Sequence, residues 1–290
     1  MGFKRQIRFK EWGVELETTK TPTDDYMRGT DGSVKQEPYL LRTDTEGFIL
    51  TGNEFHNYGG MRKVVLLGDS FVESLFCEEK QRFASILEAK FHSDGSNLQV
   101  WNAGYSGATL LHIFDIFVNK IVPLLQYVEK VVVFTGSSDQ RTLGRARNYW
   151  TRDRTHSPII DPRNFRHETE SKQTTEHLER LLGAFIDFAR TYDTEICVVL
   201  TPFRFARFGE DEFLDRVHSN SEKHQAALNQ LRLINSAAKS VCEAKGISII
   251  DGQSYLEKDP RLFYDSVHLN PVGQSKFAEF LFSELKRILS

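Results

Sequence analysis

Residues 64–74 read VVLLGDSFVES, and the reading of this stretch decides the fold. Four apolar residues in a row, without alternation, suit a strand covered on both faces rather than one with a wet side. The run stops at Gly68-Asp69-Ser70, and a second, shorter mixed segment follows. Serine is a favoured helix N-cap, so Ser70 has a plain structural role open to it. A side chain at the end of a buried strand is also where an α/β sheet presents reactive groups, and the eleven residues leave both roles open.

Working outward, the same pattern recurs. RFASILEAKF (82–91) has helical apolar spacing, LQVWNAG (98–104) ends a second strand near Asn102, and an apolar helix is expected from Ala108 to about Tyr127. KVVVFTGSSD is a third strand ending at Gly136, and HLERLLGAFIDFAR places Leu178, Leu181, Leu182, Phe185, Ile186 and Ala189 on one helical face. EICVVLTP is a fourth strand, stopped by Pro202; a long helix over roughly 221–245, the strand ISIIDG and a terminal helix capped by Asn270-Pro271 complete the series. Five strand-helix alternations predict a doubly wound three-layer α/β/α domain with a five-stranded parallel sheet over 62–290. Residues 1–61 carry turn formers and little periodicity and are expected to wrap this core. A polar stretch at about 140–174, rich in Arg141, Arg145, Arg147, Trp150, Arg152, Arg154, Arg163 and Arg166, is too long for an ordinary connection and reads as a lid-like insertion.

Bulk properties exclude several classes. A net charge of −3 over 290 residues gives no basic field for nucleic acid. Three scattered cysteines, Cys77, Cys197 and Cys242, form no CxxC pair and favour a reducing compartment. The charged start, MGFKRQIRFKEWG, lacks the apolar centre of a signal peptide. The apolar stretch from 108 is interrupted by His112, Asp115, Asn119, Lys120 and Pro123, so it is expected to be a buried helix rather than a membrane span. The expected location is cytoplasmic. No histidine spacing matches a metal site, and no metal or organic cofactor is expected.

Ligands bind beyond the carboxyl ends of the strands in open α/β sheets. On that rim the sequence places Asp69-Ser70, Asn102-Ala103-Gly104, Gly136-Ser137-Ser138-Asp139 and, after the last strand, Asp265-Ser-Val-His268. A serine hydroxyl becomes a nucleophile when histidine takes its proton, and that histidine needs a carboxylate on its other nitrogen. Ser70, His268 and Asp265 are the candidates. The small residues Gly104 and Ser138 would let donors approach a developing oxyanion.

These segments resemble the SGNH hydrolase (GDSL esterase/lipase) superfamily: GDSF its first block, NAGYSG its second, GSSD its third and DSVHLNPVGQ its last. The resemblance covers roughly residues 62–290. It implies a flavodoxin-like fold, Ser70 as nucleophile, His268 as base and Asp265 as its orienting partner. It also implies oxyanion donors from the backbone of Ser70 and Gly104 and from the third block. There the family has Gly-x-Asn-Asp, and this chain has Ser138 where the asparagine amide would stand. RTDTEGFILTG (42–52), ahead of the first block, is similar at Gly47-Phe48 to an element of SGNH proteins from bacterial polysaccharide gene clusters, which points the substrate toward carbohydrate esters.

The activity implied is hydrolysis of short acyl esters, O-acetyl above all, on a glycan or other small substrate. An O-acyltransferase with the same triad and a catalytically weak glycan-binding protein are the alternatives. Asp69, Asp139, Arg141, Trp150 and Arg204 are the candidate substrate-binding residues. Oligomeric state is not legible.

Overall fold

The computed structural model describes residues 4–54, 60–161, 171 and 174–289. Arg163 and Arg166, named above within the insertion, lie outside the described residues. In chain order the strands are β1 (Gln6–Ile7), β2 (Glu17–Lys20), β3 (Tyr39–Arg42), β4 (Arg62–Gly68), β5 (Leu98–Gly104), β6 (Val128–Phe134), β7 (Ile159–Ile160), β8 (Ile196–Val199) and β9 (Ser248–Ile250).

Strands β4, β5, β6, β8 and β9 form one five-stranded sheet, ordered β5-β4-β6-β8-β9, with every pairing parallel. The doubly wound architecture read from the sequence is the one observed. Successive residues of a strand point to opposite faces, and both faces here are dry. Val65, Leu67, Val131, Val133 and Val198 pack beneath helices Leu110–Ile116, Glu176–Arg190 and Ser221–Lys245. Val64, Leu66, Val132, Phe134 and Val199 face helices Phe83–Ser93 and Pro271–Leu289, where Phe71, Phe83 and Phe277 meet edge to face or tilted at 5.1–5.7 Å. Burial on both sides is why these strands read as unbroken apolar runs. The strand order reverses between β4 and β6, and the crevice outside that switch point is where such sheets bind ligands.

The apolar stretch expected to be one helix is three segments. An α-helix (Leu110–Ile116) loosens to a π turn (Phe117–Ile121) and tightens to a 3₁₀ turn (Val122–Tyr127). Pro123 supplies the reason, since it has no N–H and its ring excludes the carbonyl four residues back. By length and composition Leu110–Tyr127 could cross a membrane. Here it buries Leu110, Ile113, Ile116, Phe117 and Ile121 in the core, and Phe114 stacks on Phe185 at 5.1 Å.

The N-terminal segment runs along the sheet and its rim. β2 and β3 pair antiparallel, β1 pairs antiparallel with β7, and Ile49 donates its N–H to Asn102 at the sheet edge. Phe48 stacks on Trp101 at 4.5 Å, and Arg42 grips Glu79 with two bonds of 3.1 and 2.7 Å. The insertion read at about 140–174 starts inside helix Ser137–Leu143, passes a 3₁₀ turn at Asn148–Trp150 and reaches β7.

Gly104, at the end of β5, lets the helix Ser70–Glu73 sit directly on the sheet. A Cβ there would lie 2.2 Å from the Glu73 nitrogen and 2.6 Å from the Val72 carbonyl carbon. Gly104→Ala is therefore expected to cost about 1–3 kcal/mol, the usual range for overpacking, seen as a lower urea midpoint at unchanged slope. Gly13→Ala, whose added carbon meets nothing within 4 Å, should stay within about 0.5 kcal/mol of the parent. Equal midpoints for the two variants would refute the close-approach account.

Candidate active site

The turn after β4 is built around Asp69. One carboxylate oxygen accepts the Phe71 N–H at 3.0 Å and so caps helix Ser70–Glu73. The other accepts from Ser137 Oγ at 3.2 Å, from the Ser138 N–H at 3.2 Å and from Ser138 Oγ at 3.1 Å. Asp69 is almost fully buried and does not line the cavity beside Ser70. The residue expected to bind substrate instead fastens the turn after β4 to the turn after β6. It is also Asp69, not Ser70, that caps this short helix.

Ser70 faces the turn Asp265-Ser266-Val267-His268. Asp265 Oδ1 accepts the N–H groups of Val267 and His268 at 2.8 and 2.7 Å, which closes the turn. Its Oδ2 lies 2.6 Å from His268 Nδ1, and His268 Nε2 lies 2.7 Å from Ser70 Oγ. A proton on Nδ1, fixed by the carboxylate, leaves the Nε2 lone pair directed at the serine hydroxyl. Burial alone would lower the His268 pKa, but the charge and hydrogen bond of Asp265, with Asp69 and Glu73 adding, raise it above the ordinary value of 6.5. Burial likewise works to raise the Asp265 carboxyl, and the His268 contact outweighs it and holds the group low. Tyr264 stacks on the imidazole at 5.4 Å, nearly parallel, and receives a 3.0 Å contact from the Tyr26 hydroxyl.

Two of the expected oxyanion donors point elsewhere. The Gly104 N–H donates to Asn102 Oδ1 at 2.9 Å, while Asn102 Nδ2 bonds the Val72 carbonyl at 2.9 Å. Asn102 thus splints β5 to the helix carrying Ser70, and the Gly104 assignment is corrected. Gly107, three residues on and missed by the sequence reading, lines the cavity beside Ser70 with φ +73°. Such a backbone favours glycine, and no acceptor among the described residues takes its N–H. Ser138 lines the same cavity, but its hydroxyl is turned to Asp69.

The cavity holds about 230 Å³. Arg141 lines it, as expected for a substrate contact, and so do Tyr26, Glu73, Tyr264 and His156, which the sequence reading did not single out. Glu73 is completely buried; burial pushes its carboxyl up, against bonds from Ser106 and from Trp12 Nε1, the latter at 3.0 Å. Its signal was a charged residue three places after Ser70, on a helix otherwise committed to the core. Asp139 is not at the surface of the cavity. It accepts from the Leu110 and Gly136 N–H groups at 2.9 and 3.3 Å, and burial pushes it up to about 6. Trp150 is half exposed and lines a different cavity, with Arg5, Arg147 and Arg152.

Arg204 is corrected outright. It is buried, donates to Asp211 at 2.9 Å, to Asp31 at 2.7 Å and to the Phe263 carbonyl at 2.8 Å, and its N–H holds the Ser266 carbonyl at 2.9 Å. A guanidinium reaching several acceptors at once suits this strut, which supports the His268 turn from behind.

No family model matches the sequence, and no curated protein sequence matches it either. Solved structures do match in shape. The acetyl xylan esterase AlAXEase superposes with a TM-score of 0.53 over 76% of this chain and 98% of its own, at 15% identity. A lipase/acylhydrolase from Enterococcus faecalis gives 0.53 over 79% and 97%, at 16% identity. A member of the lipolytic protein G-D-S-L family from Veillonella parvula gives 0.52 over 78% and 99%, at 14% identity. The chain has the SGNH hydrolase fold. At such identities the shared fold alone is established, and chemistry must come from the side chains.

If Arg204 is a strut, Arg204→Met should lose roughly 3–5 kcal/mol, because it strands two largely buried carboxylates. Chemical denaturation of the variant checks this. A variant of parental stability would return Arg204 to the list of ligand contacts.

Proposed function

We propose that the chain is a serine esterase of the SGNH type that removes short acyl groups, O-acetyl foremost, from a carbohydrate. The observation that carries this reading is the unbroken line Ser70 Oγ–His268 Nε2–Asp265, with contacts of 2.7 and 2.6 Å. His268 takes the Ser70 proton as Oγ attacks the ester carbonyl. The tetrahedral intermediate collapses, the alcohol leaves with that proton, and Ser70 holds the acyl group. Water then attacks with His268 again as base, releasing the acid and restoring the serine hydroxyl.

The oxyanion falls to backbone donors, the N–H groups of Ser70 and Gly107. Ser70 is the first residue of its helix, and its N–H has no acceptor within the helix. A cavity of about 230 Å³ suits a small acyl group, and the acetyl xylan esterase among the similar folds agrees with the sequence hint toward carbohydrate. Three buried cysteines, none in a disulfide, support a reducing, cytoplasmic location. A second reading, a weakly catalytic glycan-binding protein, is favoured by one feature: the Ser138 hydroxyl is engaged by Asp69.

A fluorophosphonate probe and p-nitrophenyl acetate separate the two. The parent protein should label and turn over, and Ser70→Ala should do neither; labelling that survives in Ser70→Ala would sink the assignment. A parent that is silent on the probe and on every acetyl ester would establish the binding reading.

The pH profile supplies an independent check. Protonated His268 cannot take the serine proton, and its pKa lies above 6.5, so kcat/KM should fall as pH drops through an apparent pKa above that value. In Asp265→Asn the raising charge is gone, so the acid limb should move to lower pH. The rate should also fall by about 10³–10⁴, as when a triad carboxylate is neutralised. An acid limb unmoved by that substitution would mean that another group controls it.

A further inference from the structure

The turn that carries His268 has a twin that lines the same cavity. Asp153-Arg-Thr-His156 has the same spacing as Asp265-Ser-Val-His268. The backbone hydrogen bonding is the same as well. Asp153 Oδ1 accepts the Thr155 and His156 N–H groups at 2.7 Å each, where Asp265 Oδ1 accepts its pair at 2.8 and 2.7 Å. His156 Nδ1 lies 3.1–3.2 Å from both oxygens of Asp153. Burial works to raise the Asp153 carboxyl, but the side-chain and backbone bonds from His156 outweigh it and hold the group well below the usual carboxylate range. The carboxylate therefore stays charged and keeps a proton on Nδ1.

His156 is buried at 5% exposure, yet it lines the Ser70 cavity. Nδ1 is spoken for, and no described group bonds Nε2. In the twin turn the corresponding nitrogen meets Ser70; here no hydroxyl among the described residues takes that place. The lining is also mixed. Tyr26 meets Phe76 and Tyr264 in an aromatic wall, and Thr155, His156 and Arg141 supply polar groups.

Building on the esterase reading, we propose that His156 recognises the alcohol half of the substrate. Its Nε2 accepts a hydrogen bond from a free hydroxyl flanking the esterified oxygen, so the site selects partly acylated polyols, sugars among them, over simple alkyl esters. The aromatic wall takes the acyl group. Asp153 is a positioning residue that fixes the imidazole as an acceptor, as Asp265 does for His268. An acceptor held without freedom to turn away discriminates against analogues that lack the donating hydroxyl, because it would be left unpaired on binding.

The test uses two probes, a mono-O-acetyl methyl glucoside and its counterpart in which the flanking hydroxyls are replaced by hydrogen. Binding is measured by calorimetry on full-length Ser70→Ala, so it does not depend on turnover. The glucoside should bind about tenfold more tightly than its deoxy counterpart, the worth of one hydrogen bond. Adding His156→Phe should erase that difference while leaving the deoxy affinity unchanged. His156→Gln, which keeps an acceptor, should restore part of the preference and guards against a variant that misfolds. With Ser70 present, His156→Phe should raise KM for the glucoside and reduce its kcat/KM advantage over the deoxy counterpart. The proposal is overturned if Ser70→Ala does not distinguish the probes, or if His156→Phe weakens both equally. Loss of the esterase reading shows separately, as a parent that binds the glucoside with the same preference but never cleaves it.

Discussion

The carboxylate of Asp69 holds two crossover turns in one geometry, and the site exists only because they are held. It stands where β4 ends and accepts from Phe71, Ser137 and Ser138, so the helix bearing Ser70 cannot shift relative to the turn after β6. A buried charge is tolerated when its oxygens are saturated with donors, and here the four bonds provide that. Asn102 does the corresponding work on the other side, between β5 and Val72. The serine is thus fixed from both neighbouring strands, and His268 needs only to be brought to it. Arg204 and the Tyr26–Tyr264 pair do this by gripping the return loop from outside and stacking on the ring.

The N-terminal segment belongs to the same mechanical unit. Trp12 donates to Glu73, one turn along from Ser70; the Lys10 amine bonds the Ser106 carbonyl at 2.9 Å; Tyr26 reaches the aromatic wall. Burial, with Arg8 adding, pulls Lys10 down to about 8. Burial also pushes the Glu73 carboxyl up, and the hydrogen bonds that Glu73 and Lys10 make with Trp12 and Ser106 hold this part of the rim. Such bonds stiffen a site when every member is satisfied and weaken it when one is missing.

What the sequence made legible follows from what sequence encodes locally. Parallel strands buried on both faces leave uninterrupted apolar runs, so the five strands and their order of appearance could be read directly. The Asp265–His268 turn is three residues long and carries its own hydrogen bonds, so it too is written locally. The misreadings at the site share a cause, because each concerns which partner a polar group finds once the chain is folded. Gly104 and Asn102 are two residues apart, yet nothing in NAGYSG says that the side chain of Asn102 would take the Gly104 N–H. Arg204 looked like a free cation after a strand; its partners Asp31 and Asp211 come from segments with no visible periodicity. A further overlooked local signal was DRTH at 153–156, identical in spacing to DSVH and hidden in the stretch read as a lid-like insertion.

Serine at position 138 then has a physical explanation that does not require an impaired site. Its hydroxyl and N–H both serve Asp69, at 3.1 and 3.2 Å, so the residue completes the donor set of the carboxylate on which the turn depends. On the proposed reading, oxyanion stabilisation shifts to the backbone of Ser70 and Gly107. Backbone donors need no rotamer to be frozen and no reorganisation when charge develops, which is where preorganised sites gain most. A side-chain amide would add a third donor; the short hydroxyl instead secures the frame that aims the other two. Stiffness at the turn and donor count at the oxyanion are in this way exchanged against each other at a single position, and this chain has settled on stiffness.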